Sequence, residues 1–366
     1  MTDSSPWAVL LARLARPRLP GSDGVAETER MVGVHLAERG WTLERQGFTT
    51  SPRRLVAVAL AGAGGGWLGL IAVPLLVLPV PTVSAILTVT ALSAGLVLLV
   101  VGVASGRFPI RVRSVDAVNL IADRGGPVRI WLVAHLDSKS QGVSLRGRVV
   151  AVALTGTGMV LLSVAVVVRL VMVLPFAAAA VPLILLVTGG ALLSRHPVRD
   201  GSPGAVDNAS GIIAVLAAAE ALAHRDDVGI LLTGAEEFGL EGARHWVQRG
   251  GRGEVFVNFD GIDVRGPFNV MPHGRAAAGP AGLAETLADE LGHRGFPVRR
   301  AALPLGIVVD GRILAGAGMG GVTVSRGDWS TLGVIHTPRD TADRTGTDAA
   351  VAAGKAAAAA LDRTLG

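Results

Sequence analysis

Two long blocks of the chain carry almost no charge, and they constrain the fold more than any other feature. Residues 55–106 contain no Asp, Glu, Lys or Arg, and residues 149–194 contain only Arg169. About 18 or more consecutive apolar residues can cross a bilayer as a helix, so each block is long enough for two crossings. The natural breaks fall at residues 79–82 and 169–175. The sequence therefore predicts four spans, at 56–78, 83–104, 149–170 and 176–194; a very apolar soluble core is the alternative.

The remainder of the chain is long enough for one sizeable α/β domain. Only 17% of the 366 residues are charged, against about 25% in a typical soluble domain, and the deficit lies in the two apolar blocks. The chain has no cysteine, which excludes disulfides and thiolate metal sites. Any metal must therefore be held by histidine and carboxylate side chains.

Basic residues flank both blocks on the sides that join the rest of the chain. They are Arg53, Arg54, Arg107, Arg111, Arg113, Lys139, Arg146, Arg148, Arg195 and Arg199. The hairpin tips carry only Arg169, whose long side chain could reach the membrane interface. Positive charge near spans marks the cytoplasmic side. We expect a multi-pass protein of the cell membrane whose polar part is cytoplasmic.

The partners that this charge pattern favours are lipids. A net charge of +5 suits a domain that lies on an anionic leaflet. No basic run is interleaved with aromatic residues, so we expect no nucleic-acid partner. Near the start, Trp7, Leu10, Leu11 and Leu14 share one helical face. This helix either lies on the membrane surface or is an ordinary first helix of the polar domain.

Helical and strand patterns alternate along the polar segments, which predicts an α/β sandwich. The predicted helices cover 27–39, 208–223, 239–249, 281–292 and 349–365. The predicted strands cover 41–48, 117–122, 128–134, 228–233, 254–259 and 321–325. Histidine or carboxylate side chains follow three of these strands: His135 and Asp137, then Glu236 and Glu237, then Asp260. Sites in open α/β sheets gather at the carboxyl ends of strands, so we expect these groups to meet.

These residue types suit a two-metal hydrolytic centre. Two metal ions need one bridging carboxylate and about two further ligands each. Five candidate ligands supply that number: His135, Asp207, Glu237, Asp260 and His336. Glu236, next to a ligand, is placed to act as general base, and Asp137 is placed to accept the other N–H of the His135 ring. Each residue alone has an ordinary explanation, such as an N-cap for Asp207 or a salt bridge for Asp260.

The order of these motifs resembles the zinc aminopeptidases of the M28 family, which share a fold with co-catalytic zinc carboxypeptidases. The matching pieces are HLDS at 135–138, DNASG at 207–211, EEFG at 236–239, NFD at 258–260 and HTPRDT at 336–341, and PRLPGSDG near the start is similar too. The resemblance covers most of the chain outside the apolar blocks. It implies a three-layer α/β/α zinc-peptidase domain with a mixed sheet, plus four transmembrane helices inserted as two hairpins.

The resemblance also implies a role for each residue. His135 and Asp260 would hold one zinc ion, Glu237 and His336 the other, and Asp207 would bridge them. Glu236 would be the general base and Asp137 the orienting carboxylate. The peptide bond between Asp207 and Asn208 would be cis. Two Zn²⁺ ions are expected, although other divalent metals would also suit these ligands.

The apolar blocks interrupt this domain twice. The predicted boundaries are peptidase domain at 1–54, 107–148 and 195–366, with hairpins at 55–106 and 149–194. The leading hypothesis is a membrane-embedded di-zinc aminopeptidase that acts on peptides. The alternatives are a carboxypeptidase, a deacylase, glutaminyl-cyclase-like amide chemistry, a catalytically idle metal-binding membrane protein, and a transporter.

Overall fold

The chain forms two compact units in a computed structural model, which describes residues 5–195, 197–274, 282–304 and 306–365. The sheet unit comprises Met1–Thr50, Ser114–Gln141 and Val198–Gly366, and the helical unit comprises Ser51–Arg113 and Gly142–Pro197. Each unit is built from more than one segment, because the chain passes between them four times.

The sheet unit contains one mixed sheet of eight strands in the order β1-β2-β4-β3-β5-β8-β6-β7. The strands are β1 (Thr42–Thr50), β2 (Val115–Asp123), β3 (Ile130–His135), β4 (Val228–Thr233), β5 (Val255–Ile262), β6 (Phe268–His273), β7 (Val298–Arg300) and β8 (Gly320–Arg326). The central strands β4, β3, β5 and β8 run parallel. The edge pairs β1–β2, β2–β4 and β6–β8 are antiparallel. The predicted mixed α/β fold is therefore confirmed.

Helices cover both faces of this sheet. They are α1 (Pro6–Leu14), α2 (Asp23–Ala37), α7 (Ser210–Ala221), α8 (Glu241–Gln248), α9 (Leu283–His293), α10 (Gly311–Gly316) and α11 (Asp348–Leu365). Side chains alternate along β3 between two apolar clusters: Ile130 and Leu132 pack with α7 and α11, whereas Trp131 packs with α8 and α10. Both faces of the central strands are buried, which explains why the sequences of these strands are continuous apolar runs.

Helix α1 is an ordinary helix of the sheet unit. Leu11 and Leu14 are buried in the main apolar cluster, and Trp7 and Leu10 pack against it. The apolar face of this helix is thus used for packing, which decides between the two interpretations left open by the sequence.

Three elements escaped prediction. Strand β6 contains Pro272, which is depleted in strands, and β7 has only three residues. Helix α10 has six residues and begins and ends with glycine. Helix α9 was predicted from Ala281, which lies outside the described residues. The predictable elements are the long, strongly periodic ones.

The helical unit consists of four helices: α3 (Arg53–Val77), α4 (Thr82–Ala104), α5 (Leu145–Val168) and α6 (Phe176–Ser194). All four are long and apolar enough to cross a membrane. Glycines allow α3 and α6 to approach closely, since a Cβ on Gly190 would lie 2.3 Å from the carbonyl oxygen of Gly62. Small residues at such contacts are typical of helices that associate in lipid.

Arg169 bonds to the turn between α3 and α4. It follows the last residue of α5, and its side chain is buried. The guanidinium donates to Thr82 Oγ1 at 2.7 Å and to the Val80 carbonyl at 2.8 Å. The turn between α3 and α4 thus offers this side chain oxygen acceptors at the tip of the other hairpin, and the expectation that it lies at a membrane interface stays a prediction.

Candidate metal centre

The candidate ligands converge at the carboxyl edge of the parallel strands. His135 is the last residue of β3, Glu236 and Glu237 follow β4, and Asp260 lies near the end of β5. Asp207 precedes α7, and His336 lies in the loop between β8 and α11. Neighbouring parallel strands bring their carboxyl ends to one edge, which is why residues far apart in sequence meet here.

The first cluster comprises His135, Asp207 and Asp260. Nε2 of His135 lies 3.0 Å from Asp207 Oδ1 and 3.9 Å from Asp260 Oδ1. One nitrogen and two carboxylate oxygens lie within 4.8 Å of one another, as the ligands of one ion do. Burial opposes the charge on His135, but hydrogen bonds with Asp137, Asp207 and Asp260 raise its pKa well above the usual value.

The second cluster comprises Asp207, Glu237 and His336. Nε2 of His336 lies 3.3 Å from Asp207 Oδ2 and 3.3 Å from Glu237 Oε2, and the three ligand atoms again lie within 4.8 Å. Asp207 thus belongs to both clusters and presents Oδ1 to one and Oδ2 to the other. Although burial opposes its ionisation, His135 and His336 hold its pKa far below the ordinary value. This arrangement suits a carboxylate that bridges two ions.

The backbone around Asp207 is held from several sides. The peptide bond between Asp207 and Asn208 is cis, as the family resemblance implies. The side chain of Asn208 donates to the Phe259 carbonyl at 2.8 Å and accepts from the Gly211 N–H at 3.1 Å. Because Phe259 precedes Asp260, this contact ties Asp207 to another ligand of the first cluster.

Asp137 contacts His135 and also holds the turn after β4. Its main-chain carbonyl, 3.0 Å from Nδ1, orients the His135 ring, while its carboxylate oxygen lies 3.7 Å from that nitrogen. A carbonyl only accepts, so Nδ1 carries a hydrogen, and Nε2 is the ring nitrogen that faces Asp207 and Asp260. The carboxylate instead accepts the N–H groups of Glu236 at 3.1 Å and Glu237 at 3.0 Å. It therefore positions the turn that carries both glutamates.

Glu236 belongs to neither cluster. It is buried, and burial together with the negative charges of Glu237, Asp260 and Asp310 raises its pKa well above the ordinary value, against the opposing effect of His135. A carboxylate whose pKa is raised is a better proton acceptor, as a general base must be. Its role as base remains a prediction, and so do the metal-binding roles of the five candidate ligands.

Lys139 is a buried residue of the site that the sequence reasoning passed over. Its ammonium lies 2.6 Å from Glu237 Oε2 and donates to the Glu237 carbonyl at 3.2 Å. The signal available was its place four residues after His135. In the sequence, Lys139 resembles the other basic residues that flank the apolar block. No neighbouring residue indicates that its side chain is buried.

Asp310 is a second residue that the sequence did not reveal. It lies just before α10, is buried, and accepts a hydrogen bond from the Thr233 hydroxyl. Burial raises its pKa to about 7, with Thr233 opposing and Asp260 and Asp137 adding to the rise. Because α10 is too short to be recognised from periodicity, its position beside the ligands could not be inferred.

The donors at this centre fit zinc. Histidine nitrogen and carboxylate oxygen are zinc's usual ligands in a protein without cysteine. Glu237 Oε1 is buried, and no hydrogen-bond donor reaches it within the part of the chain that the structure describes. A buried carboxylate oxygen without a donor is costly unless an ion satisfies it. Two such clusters that share a carboxylate, beside an unshared glutamate, are the kind of site that suits a metal-dependent hydrolase.

Comparison with known families agrees with this class. The family model for peptidase family M28 matches residues 119–361, and the chain belongs to that family. This membership supports a metallopeptidase, and the buried clusters suggest zinc binding. A search of curated protein sequences finds no significant match.

Solved structures show the same fold at low sequence identity. The aminopeptidase from Aneurinibacillus sp. strain AM-1 has a TM-score of 0.55 and 13% identity, over 99% of this chain and 94% of that chain. The zinc aminopeptidase from Bacillus subtilis has a TM-score of 0.54 and 14% identity, over 98% of this chain and 94% of that chain. The glutaminyl cyclase of Porphyromonas gingivalis has a TM-score of 0.55 and 14% identity, over 98% of this chain and 97% of that chain.

Proposed function

We propose that the protein is a membrane-embedded aminopeptidase that uses two zinc ions to hydrolyse the N-terminal bond of peptides. The observation that carries this proposal is the geometry of Asp207, whose two oxygens face His135 and His336 separately. One ion would be held by His135, Asp207 and Asp260, and the other by Asp207, Glu237 and His336. When bound, such ions act as Lewis acids and lower the pKa of water to about 7.

The residues of this chain supply proton transfer and alignment. Glu236 takes a proton from the attacking water and delivers it to the departing amine, because it is a buried carboxylate outside both clusters and adjoins the candidate ligand Glu237. Asp137 holds Glu236 in place through the main-chain N–H of that residue. These positions suit hydrolysis of an amide, and the neighbouring aminopeptidases suggest an N-terminal substrate.

The central experiment measures amide hydrolysis and metal content together. The purified protein should hydrolyse an aminoacyl chromogenic substrate, lose activity in a chelator and recover it with zinc. Glu236→Gln should lower kcat by about 10²–10⁴-fold while zinc content stays unchanged. Glu44→Gln, an exposed carboxylate on β1, is the matched control. Full activity in the Glu236 variant would contradict the mechanism, and a panel of free and acetylated N-termini tests the aminopeptidase assignment.

The membrane location is a separate part of the proposal. The four apolar helices and the basic residues that flank them support a multi-pass protein of the cell membrane with a cytoplasmic sheet unit. Because the chain has no cysteine, a thiol reagent can react only with a cysteine that is introduced at a chosen position. Val171→Cys, at the second hairpin tip, should react with an impermeant reagent added outside intact cells, and Thr42→Cys in β1 should not. The reverse labelling pattern would place the sheet unit outside the cell and contradict the proposed orientation.

A second candidate function is cyclisation of N-terminal glutamine. The observation that favours it is Asp310, a buried carboxyl with a pKa of about 7 whose charge acts on Glu236. Cyclisation transfers a proton from the attacking amine to departing ammonia and consumes no water. A carboxyl that holds a proton near neutral pH suits that transfer. Incubation with a glutaminyl peptide distinguishes cyclisation from hydrolysis, since a cyclase releases ammonia and an aminopeptidase releases free glutamine.

A further inference from the structure

Arg18 is a fully buried arginine whose guanidinium contacts main-chain carbonyls. Its Nε donates to the Leu136 carbonyl at 2.8 Å, and its Nη atoms donate to Pro203 at 2.7 Å, Gly204 at 3.0 Å and the carbonyls of Leu14 and Arg16. Burial lowers its pKa to about 10, against the attraction of Asp340, Asp137, Asp207 and Glu237. Burying a guanidinium is costly, so its retention calls for a local reason.

Three of the five carbonyls that Arg18 binds, those of Leu136, Pro203 and Gly204, belong to the segments that carry the candidate metal ligands. Leu136 lies between His135 and Asp137, and Gly204 lies three residues before Asp207. The main chain strengthens this link: the Arg18 N–H donates to Ser138 Oγ at 3.1 Å, and the Ser138 N–H donates to the Arg18 carbonyl at 3.0 Å. Arg18 therefore connects the His135 segment with the segment that leads to the shared aspartate.

Asp340 holds the same segment by its N–H groups. Its Oδ1 accepts from the Val206 N–H at 2.7 Å, and its Oδ2 accepts from the Asp207 N–H at 3.2 Å. The main-chain carbonyl of Asp340 accepts from the Ala205 N–H at 3.2 Å. Residues 203–207 are thus held through their carbonyls by a guanidinium and through their amides by a carboxylate. We call this arrangement the Arg18–Asp340 clamp.

We propose that Arg18 is a positioning residue that acts with Asp340 to orient Asp207 towards both metal clusters. The inference rests on the proposed function, since it assumes that the clusters bind ions. The clamp contacts the backbone that leads into Asp207, up to the N–H of that residue, and leaves both carboxylate oxygens facing His135 and His336. Residues that orient ligands in this way typically contribute about 10–100-fold to metal affinity.

The test separates the effect of the hydrogen-bond geometry of Arg18 from the effect of its positive charge. Arg18→Lys keeps the positive charge but loses the fork that reaches several carbonyls together. Asp340→Asn keeps its size and one acceptor oxygen but loses the other. The matched control is Arg45→Lys, an exposed arginine of the same unit. The dissociation constants for Zn²⁺ are measured on purified full-length proteins by competition with a chelator, and thermal midpoints are measured without metal.

We expect Arg18→Lys and Asp340→Asn each to raise the dissociation constants of both ions by about 10–100-fold, because Asp207 serves both clusters. The double variant should fall short of the product of the two effects, since both side chains hold one segment. Arg45→Lys should bind zinc like the wild type. A purely structural role would lower the thermal midpoint and leave the affinity of the folded protein unchanged.

Wild-type affinity in folded Arg18→Lys overturns the inference while the proposed metal centre stands. If Arg18→Lys does not fold, Asp340→Asn decides, because the proposal requires both halves of the clamp. A wild-type protein that binds no zinc refutes the proposed function itself, and the inference about Arg18 falls with it.

Discussion

Lys139 and Glu237 form an ion pair of 2.6 Å in which both side chains are only 3% exposed. Burial opposes ionisation of Glu237, but Lys139 foremost, with His336, lowers its pKa to about 2. A group whose pKa is lowered by folding adds stability above its unfolded pKa and loses it as the pH falls through its folded pKa. The pair is therefore intact at neutral pH and gives a proposed metal ligand a fixed cationic neighbour.

Removing the ammonium should destabilise the metal-free protein. Lys139→Met leaves the Glu237 carboxylate buried with a histidine as its remaining partner, and breaking a buried pair in this way costs about 3–5 kcal/mol. Lys139→Arg, which keeps the charge, should lose less. Denaturation by urea in the presence of a chelator measures the difference at pH 7. Equal free energies of unfolding for wild type and Lys139→Met would show that the pair contributes nothing.

Metal stoichiometry should reveal that Asp207 is shared. Asp260 belongs to the first cluster alone, whereas Asp207 belongs to both. Asp260→Asn should therefore lose one zinc ion and Asp207→Asn should lose both. Elemental analysis of the purified, gel-filtered variants gives the number of ions per chain. Two retained ions in Asp207→Asn would rule out the bridging role.

The pH dependence of stability should be weaker without Asp310. Burial raises its pKa to about 7, so the folded protein holds a proton that the unfolded chain releases above pH of about 4. The unfolded chain then binds fewer protons, and stability falls as the pH rises from about 4 to 7, by roughly 4 kcal/mol for about three units. Asp310→Asn keeps an oxygen for Thr233 and should remove this contribution. Free energies of unfolding of wild type and Asp310→Asn are compared at pH 5 and pH 8 without metal. The same change with pH in both proteins would contradict the prediction.

Arg169 should stabilise the helical unit. Its guanidinium joins the end of α5 to the turn between α3 and α4 through Thr82 and Val80. A hydrogen bond to a charged group contributes about 1.5–3 kcal/mol. Arg169→Gln should therefore lower the thermal midpoint in detergent, whereas Arg107→Gln, an exposed arginine in the same unit, should not. Equal midpoints for the two variants would leave Arg169 without a stabilising role.

Periodicity was enough to predict most of the fold. Strand β4 was predicted with its observed ends, and α3 to α6 form over the predicted apolar segments because long apolar runs carry a strong signal. Elements of three to six residues carry little such signal, so β7 and α10 were missed. The edge strand β6 was missed because Pro272 interrupts its pattern.

Pattern predicted which residues meet, but not every contact that orients them. The convergence of strand ends in a parallel sheet predicted that His135, Glu237 and Asp260 meet. Asp207 and His336 were added from the number of ligands that two ions need and from the order of the motifs, and the structure brings all five together. The Asp137 carbonyl lies 3.0 Å and the Asp137 carboxylate 3.7 Å from His135 Nδ1, and this geometry leaves no trace in the sequence. Arg18 and Lys139 likewise look like ordinary basic residues until tertiary packing turns them inward.

The interleaving of the two units has a consequence for how the protein could be regulated. The chain leaves the sheet unit after Thr50 and again after Gln141, and returns each time before the sheet is complete. A protease that cut one of the four connections would leave the two units joined by the other three. In the membrane arrangement proposed above, the enzyme therefore has no shed, freely diffusing form that one cut can produce. In that arrangement its activity would be confined to substrates that come to the bilayer.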